Sequence, residues 1–133
     1  MSGFVGKWKV AEQENLDLMF GCLSMSEEKK REILETAFIE YKLIGTQKIR
    51  ISSNMYLSPD DVELTFGEEF EKQGVDGTVV KAVVEKISDA KIIYTQKHPV
   101  LKVVIESELR DGFIIMTIRC LGMKAIVKLQ KLE

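Results

Sequence analysis

Most of the chain alternates apolar and polar residues with a period of two, the pattern of a β-strand that buries one face. In the segment KIRISSNM, Ile49, Ile51, Ser53 and Met55 share one face, and charged or polar residues occupy the other. The same alternation recurs later in the chain, where the inward positions are Val62, Leu64, Phe66, Val103, Ile105, Ser107, Leu109, Met123, Ala125, Val127 and Leu129. A chain with this alternation is expected to fold as an antiparallel sheet with one buried face.

Turn residues separate these segments at intervals of about 8 to 12 residues. They are Gly45-Thr46, Ser58-Pro59-Asp60, Gly67, Gly74 to Gly77, Ser88-Asp89, His98-Pro99, Asp111-Gly112 and Leu121-Gly122. Asp111-Gly112 has the strongest tight-hairpin composition among them. With a first strand over Phe4 to Glu12, these marks predict ten strands.

A chain of 133 residues is expected to form one domain, covering residues 1–133. Ten one-sided strands must bury a continuous apolar face, and a sheet closed on itself does so while removing exposed edges. The sequence therefore favours a barrel over a sandwich. Barrels of this size can retain an interior cavity.

One stretch, Asn15 to Glu35, interrupts the strands with helical periodicity. Its first half places Leu16, Met19, Phe20 and Leu23 on one helical face, and Asn15 is available as N-cap. The prediction is a short amphipathic helix between the first and second strands.

The second half of this stretch predicts another short helix, capped by Ser24 or Ser26. Ile33 and Leu34 begin its apolar stripe, which continues toward Phe38 unless that residue already belongs to the next strand. The two helices cannot join the sheet, so we expect them to cap one open end of the barrel.

Charge and composition exclude several classes of function. The 19 basic and 21 acidic residues give a net charge of -2, so the chain lacks the basic field that drives nucleic-acid binding. The N-terminus has no signal-peptide pattern and no segment approaches the roughly 20 apolar residues of a membrane span, so we expect a cytoplasmic protein. Cys22 and Cys120 lack metal-ligand spacing and are interpreted as small apolar packing residues.

An enzyme is not expected. His98 is the single histidine and precedes Pro99 at a turn, so no Ser-His-Asp set can form without it. No glycine-rich phosphate loop follows a strand. The sequence predicts no metal and no cofactor.

Several motifs together resemble the intracellular lipid-binding proteins, the fatty-acid-binding protein family, over nearly the whole chain. They are FVGKWKV followed by Asn15 and Asp17, FGEEFEK at Phe66 to Lys72, VDGTVVKAVV at Val75 to Val84, Gln96-Lys97, Glu108-Leu109 and Asp111-Gly112. The resemblance implies a mainly β, ten-stranded antiparallel up-and-down β-barrel with a two-helix lid between strands one and two. It also implies non-catalytic binding and transport of a long-chain fatty acid or other hydrophobic small molecule, and we expect a monomer.

The chain departs from this family where the ligand would be anchored. Many members hold the lipid carboxylate with two inward arginines and a tyrosine on the late strands. In an ungapped alignment these positions are Ser107, Val127 and Leu129, and the alternation supports that register. The usual anchor is therefore expected to be missing.

Polar residues that can still face inward are Ser53, Lys72, Asp76, Tyr94, Gln96 and Ser107. Lys72 is the only cation among them. It is either a substitute anchor or a residue that reaches solvent or pairs with Asp76. The other residues expected to contact the ligand are Phe20, Met55, Leu57, Val62, Leu64, Ile105, Met116, Ile118, Val127 and Leu129.

The lid is expected to close the portal with Leu16, Phe20, Ile33 and Leu34. Its basic residues Lys29, Lys30 and Arg31 either form a solvated helix face or, as the resemblance suggests, contact anionic membranes transiently.

Two points stay open. The odd residues from Ala37 to Leu43 are apolar, whereas the family register would turn Phe38, Glu40 and Lys42 inward. Either the second helix is offset by one residue, or Glu40 and Lys42 form an interior pair. Outward-facing Phe113 and Ile115 favour an alternative function, a membrane- or protein-interaction module with a reduced or filled cavity.

Overall fold

The computed structural model describes residues 1–22, 25–55, 61–73 and 77–132. A short 3-10 helix, Ser2–Phe4, precedes ten strands and two helices. The strands are β1 (Gly6–Glu14), β2 (Phe38–Ile44), β3 (Lys48–Ser53), β4 (Val62–Thr65), β5 (Phe70–Gln73), β6 (Val79–Ser88), β7 (Lys91–Lys97), β8 (Val103–Arg110), β9 (Phe113–Cys120) and β10 (Met123–Lys131). The helices are α1 (Leu16–Cys22) and α2 (Glu27–Thr36), both between β1 and β2.

The ten strands form one antiparallel sheet in the order β4-β3-β2-β1-β10-β9-β8-β7-β6-β5. Strands that follow one another in the sequence pair, except β4 and β5, and β1 also pairs with β10, which brings the two ends of the chain together. The sheet edges are therefore β4 and β5, in the middle of the chain. This is a nearly closed up-and-down barrel, and it confirms the predicted fold class.

The inner face of the barrel holds the apolar core that the alternation predicted. On β3 and just after it, the buried residues are Ile49, Ile51, Ser53 and Met55. The inward residues of β8 to β10 are buried as well, except Leu109 and Met123 near the strand ends, which are partly buried. Trp8 is buried on β1, and its indole N–H donates to the carbonyl of Phe4 at 2.9 Å. This bond joins the strand to the 3-10 helix before it, which is why β1 begins two residues later than predicted.

The structure settles the register of β2. Ile39 pairs directly with Trp8, so the two side chains share the inner face, and Tyr41 follows on the same side. Glu40 is half-buried and Lys42 is exposed on the outer face. The odd residues face inward, and the interior Glu40–Lys42 pair that the family register allowed does not form.

The helices add their apolar faces to this core. Leu16, Met19, Phe20 and Ile33 are buried in the same cluster as the barrel residues, and Leu34 packs against it. The helix α1 contacts β10 and α2, so the pair rests on the barrel. Leu23 and Ser24 lie outside the described residues.

The two helices are capped differently. The Ser26 hydroxyl accepts a hydrogen bond from the Lys29 backbone N–H at 3.1 Å, which confirms one of the two predicted caps of α2. The predicted side-chain cap at Asn15 is wrong. Its amide donates to the carbonyl of Lys124 at 3.3 Å, while the Gln13 side chain accepts from the Leu16 N–H at 2.9 Å.

Two tight turns follow the prediction at the ends of β8 and β9. Asp111 and Gly112 have φ values of 53° and 83°, and Leu121 and Gly122 have φ values of 56° and 72°. Two successive positive φ angles match the strand twist in a two-residue hairpin. These turns fix the register of β8 to β10 and so determine which side chains face the interior.

Candidate functional site

The candidate site is a cavity inside the barrel. Its empty space measures about 270 Å³. The described residues that border it are Ile39, Tyr41, Ile51, Val84, Ile92, Tyr94, Ile105, Ser107 and Met116. None of these side chains carries a charge at neutral pH, and three of them carry a hydroxyl group.

Of the predicted ligand-contacting residues, four border this cavity: Tyr94, Ile105, Ser107 and Met116. The others that the structure describes lie elsewhere in the apolar core or pack against it. They are Phe20, Met55, Val62, Leu64, Ile118, Val127 and Leu129. Leu57 and Asp76 lie outside the described residues.

Tyr41 is a cavity residue that the sequence interpretation did not select. Its ring packs edge-on against Phe4, with the centroids 5.5 Å apart. Burial raises the pKa of the Tyr41 phenol above its ordinary value of 10.0, and a hydrogen bond with Ser107 opposes that rise in part. The odd-numbered alternation of β2 contained the signal, because it turned Tyr41 inward once the family register was set aside.

Tyr94 and Gln96 form a second polar pair on β7. The Tyr94 hydroxyl donates to Oε1 of Gln96 at 2.8 Å, and burial raises the pKa of the Tyr94 phenol. Gln96 is only 1% exposed, and its Nε2 has no hydrogen-bond partner among the described residues. The barrel interior therefore contains a buried donor group without an acceptor.

Lys72 lies beside this pair on β5. It is half-buried, and its Nζ is 5.8 Å from the centroid of the Tyr94 ring. Ser53, another inward polar residue, is engaged locally because its hydroxyl accepts from the Met55 N–H at 2.9 Å. The proposed pairing of Lys72 with Asp76 cannot be placed, since Asp76 is not described.

The three positions aligned with the family anchor all face the interior. Ser107 is 3% exposed, and Val127 and Leu129 are fully buried. Lys128, between the last two, faces outward and holds its Nζ 4.1 Å from the centroid of the Phe113 ring. Lys128 therefore cannot supply an interior cation in this register.

The outer surfaces differ from the prediction in part. Lys29 and Arg31 are exposed on α2, whereas Lys30 forms an ion pair with Glu27 at 2.6 Å. Phe113 and Ile115 are half-buried. The Lys128 ammonium lies over the Phe113 ring, and the apolar patch suggested by the outward parity of these residues stays a prediction.

Two other expectations concern His98 and the cysteines. His98 has a local role, because its Nδ1 accepts from the backbone N–H groups of Val100 at 3.0 Å and Leu101 at 2.8 Å. Cys120 is buried as expected, and burial raises the pKa of its thiol. The expectation is wrong for Cys22, which is exposed at the end of α1.

The described ranges contain no group of three or more histidine, cysteine, aspartate or glutamate residues placed to hold a metal ion. Neither α1 nor α2, nor any other helix within those ranges, has the length and apolar character needed to cross a membrane.

Known proteins with similar sequences and structures share this architecture. The chain is 32% identical over 127 residues to fatty acid-binding protein type 3 of Fasciola hepatica, covering 95% of this chain and 96% of that protein. It is 33% identical over 124 residues to the 14 kDa fatty acid-binding protein of Schistosoma mansoni, covering 92% of this chain and 91% of that protein. No family model matches.

Among solved structures, the Schistosoma mansoni fatty acid binding protein in complex with arachidonic acid superposes with a TM-score of 0.78 at 30% identity. The superposition covers all of this chain and 98% of that one. Sequence identity above 30% over nearly the full length and the shared ten-stranded barrel lead to one conclusion: this chain belongs to the fatty-acid-binding protein family.

Proposed function

We propose that the protein is a non-catalytic carrier that binds and transports a long-chain fatty acid or related lipid inside the barrel. The observation that carries this proposal is the enclosed cavity, whose lining is apolar except for three hydroxyl groups. A relative with the same fold, that of Schistosoma mansoni, is known in complex with arachidonic acid. These findings favour a carrier over an interaction module.

Burial of the acyl tail would supply most of the affinity. Each buried methylene contributes about 0.8 kcal/mol, so a long chain gains roughly 10 kcal/mol before the costs of ordering it. The missing arginine pair reduces this total only modestly, because a buried ion pair often contributes little net free energy after desolvation. The positions Ser107, Val127 and Leu129 would then contact the ligand without anchoring it by charge.

Met116 borders the cavity, and its flexible thioether adapts to chains of different shape. The path for the ligand runs under the lid, where Phe20 and Ile33 are buried and Leu16 packs beside them. Displacement of these side chains would open the portal.

Lys72 as a substitute anchor stays a prediction. Its half-buried position near Tyr94 suits a carboxylate at that end of the cavity. Lys72→Ala should then weaken binding of a fatty acid more than Lys128→Ala, whose ammonium lies outside the barrel. Equal effects in titrations of the two variants with oleate would remove Lys72 from the site.

We place the carrier in the cytoplasm as a monomer, in contact with anionic membranes through Lys29 and Arg31 when it exchanges its ligand. Each such charge near an anionic surface contributes about 1 kcal/mol. Transfer of a fluorescent fatty acid to vesicles containing phosphatidylserine should therefore slow in the Lys29→Ala/Arg31→Ala variant. Transfer to neutral phosphatidylcholine vesicles should not change.

Binding itself is tested by displacement of a fluorescent fatty acid from the full chain, first with oleate and then with a neutral fatty alcohol. Displacement by at least one of them at low micromolar concentration is expected. If neither displaces the probe below tens of micromolar, the protein is not a carrier of such lipids.

A further inference from the structure

The buried amide of Gln96 is the one polar group in the described interior that lacks a partner. Its Oε1 accepts from the Tyr94 hydroxyl, which turns the amide oxygen toward Tyr94 and leaves the Nε2 donor directed elsewhere in the barrel. Gln96 does not itself border the cavity, but the Tyr94 side chain that holds its amide oxygen does, so the free donor lies one side chain away from the cavity. A buried donor without an acceptor costs free energy, and a ligand oxygen that reaches Nε2 would remove that cost.

The charge of the surroundings limits what that acceptor can be. No charged side chain borders the cavity among the described residues, and burial holds the phenols of Tyr41 and Tyr94 in their neutral forms by raising the pKa of each. A carboxylate moved into this environment loses its hydration and gains only neutral donors. An uncharged oxygen loses far less hydration free energy, and it can still accept a hydrogen bond from an amide N–H.

The nearest described cation does not change this conclusion. The Nζ of Lys72 is 5.8 Å from the Tyr94 ring centroid, on a half-buried side chain. Long lysine side chains of this kind commonly keep the ammonium hydrated while the stem packs on apolar groups. Ser107 occupies one of the positions where relatives are expected to hold a cation, and its hydroxyl is neutral and bonded with Tyr41.

We propose that the site selects lipids whose polar end is an uncharged oxygen-bearing group, such as an alcohol, aldehyde, ester or amide, over lipids that end in a carboxylate. Gln96 Nε2 donates to the ligand oxygen, and the Tyr94 hydroxyl holds the amide in the orientation that makes this possible. The inference rests on the proposed carrier function and narrows its ligand class.

The test compares two ligands that differ only at the polar end, oleyl alcohol and sodium oleate, both supplied from cyclodextrin at pH 8. Each competes with Nile red, a neutral dye, for the full-length protein. Wild type should release the dye at an alcohol concentration about tenfold below that of oleate. This ratio is the quantity that the variants below must change.

Gln96→Leu removes the donor at similar volume and should weaken displacement by oleyl alcohol about tenfold, with little change for oleate. Tyr94→Phe should produce a smaller loss for the alcohol, about threefold, because the amide is freed but not removed. Gln130→Leu is the matched control, since Gln130 is an exposed glutamine on the outer face of β10. It should leave both ligands unchanged.

The inference is overturned if wild type binds oleate as tightly as the alcohol, or if Gln96→Leu leaves the ratio of the two unchanged. Lys72→Met decides between this inference and the Lys72 anchor considered above: a tenfold loss for oleate alone would overturn the inference, because a carboxylate would then be anchored there. In each of these cases the carrier function stands, since a lipid still binds. If neither lipid displaces Nile red, the carrier function fails together with the inference. Should Gln96→Leu not fold, the wild-type ratio and Tyr94→Phe still decide the question.

Discussion

The two faces of β8 differ in burial and in charge. On the inner face, Ile105 and Ser107 are almost completely buried, and the only polar group there is a neutral hydroxyl. On the outer face, the Glu106 carboxylate lies 3.8 Å from Lys91 and 3.4 Å from Arg119. Consecutive residues of one strand therefore occupy an uncharged environment and a solvated ionic one.

This contrast explains why uncharged side chains suit the inward positions of β8 and β10. A charge inside the barrel needs a partner, whereas a charge outside is hydrated and interacts weakly with its neighbours. Once Ser107, Val127 and Leu129 stand at the interior positions, the cavity has no charged lining residue among those described. The lining then favours ligands that bring no charge of their own.

The largest loss of stability is expected when a charge is placed on the inner face of the barrel. Ile105 lies between Tyr94 and Ile118 on the neighbouring strands, and Ile105→Lys leaves an ammonium among apolar groups without a partner. We expect a loss of about 4 kcal/mol in the free energy of unfolding, measured by urea denaturation. Thr117→Lys is the matched control, because Thr117 faces outward opposite Glu106 and should cost less than about 1 kcal/mol. Similar losses for the two variants would contradict the contrast.

Truncation of a buried side chain should reduce the free energy of unfolding by a somewhat smaller amount. Leu129 is fully buried against Ile114, so Leu129→Ala is expected to reduce the free energy of unfolding by about 3 kcal/mol. Its neighbour Lys128 contacts Phe113 on the outer face, and Lys128→Ala should cost less than about 1 kcal/mol. Guanidinium unfolding of both variants measures the difference, and a larger loss for Lys128→Ala would count against the assigned register.

The free energy of unfolding should depend on pH above pH 10 because of Tyr41, a buried phenol on the inner face. The folded state keeps this phenol neutral, because burial raises its pKa above the ordinary value of 10.0, while the unfolded chain releases the proton near that value. The stabilisation is complete below pH 10 and is lost as the pH rises toward the folded pKa. From pH 9 to pH 11, wild type should lose about 1.4 kcal/mol more than Tyr41→Phe. Parallel losses in urea titrations at these two pH values would show that Tyr41 ionises freely.

The smallest effect is expected on the outer face. Glu106→Gln removes a half-exposed carboxylate from its two basic neighbours and should change the free energy of unfolding by no more than about 0.5 kcal/mol. At 1 M salt, where screening is nearly complete, the difference should disappear. A loss above 2 kcal/mol that persists in salt would mean that the outer charges stabilise the barrel as strongly as the core does.

Local patterns predicted most of the fold. The alternation of apolar residues assigned the inward side chains of β3, β4, β8 and β10, because side chains on a strand point to opposite faces in turn. Asp111-Gly112 predicted a two-residue hairpin, since aspartate and glycine accept positive φ, and Leu121-Gly122 was correctly marked as a turn. Periodicity likewise found both helices, although the Asn15 cap was assigned incorrectly because the acceptor comes from Gln13.

The candidate site was less accessible to sequence reasoning. Tyr41 was overlooked because a family register conflicted with the chain's own alternation, and the pairing of Ile39 with Trp8 resolved the conflict. The unpartnered Nε2 of Gln96 could not be foreseen, since an inward position does not reveal which neighbours lie within hydrogen-bond distance. Which side chains border the cavity depends on how opposite walls pack, which no local pattern encodes.

The sequence by itself therefore determined where the chain turns, which residues of the late strands face inward, and that Ser107, Val127 and Leu129 among them are uncharged. Only the tertiary structure decided that Tyr41 meets Ser107, that the first and last strands join, and that a buried amide is left without an acceptor. The physical reason is distance along the chain. Alternation and turn chemistry act between residues a few positions apart, whereas the cavity is defined by contacts between strands that only closure of the barrel brings together.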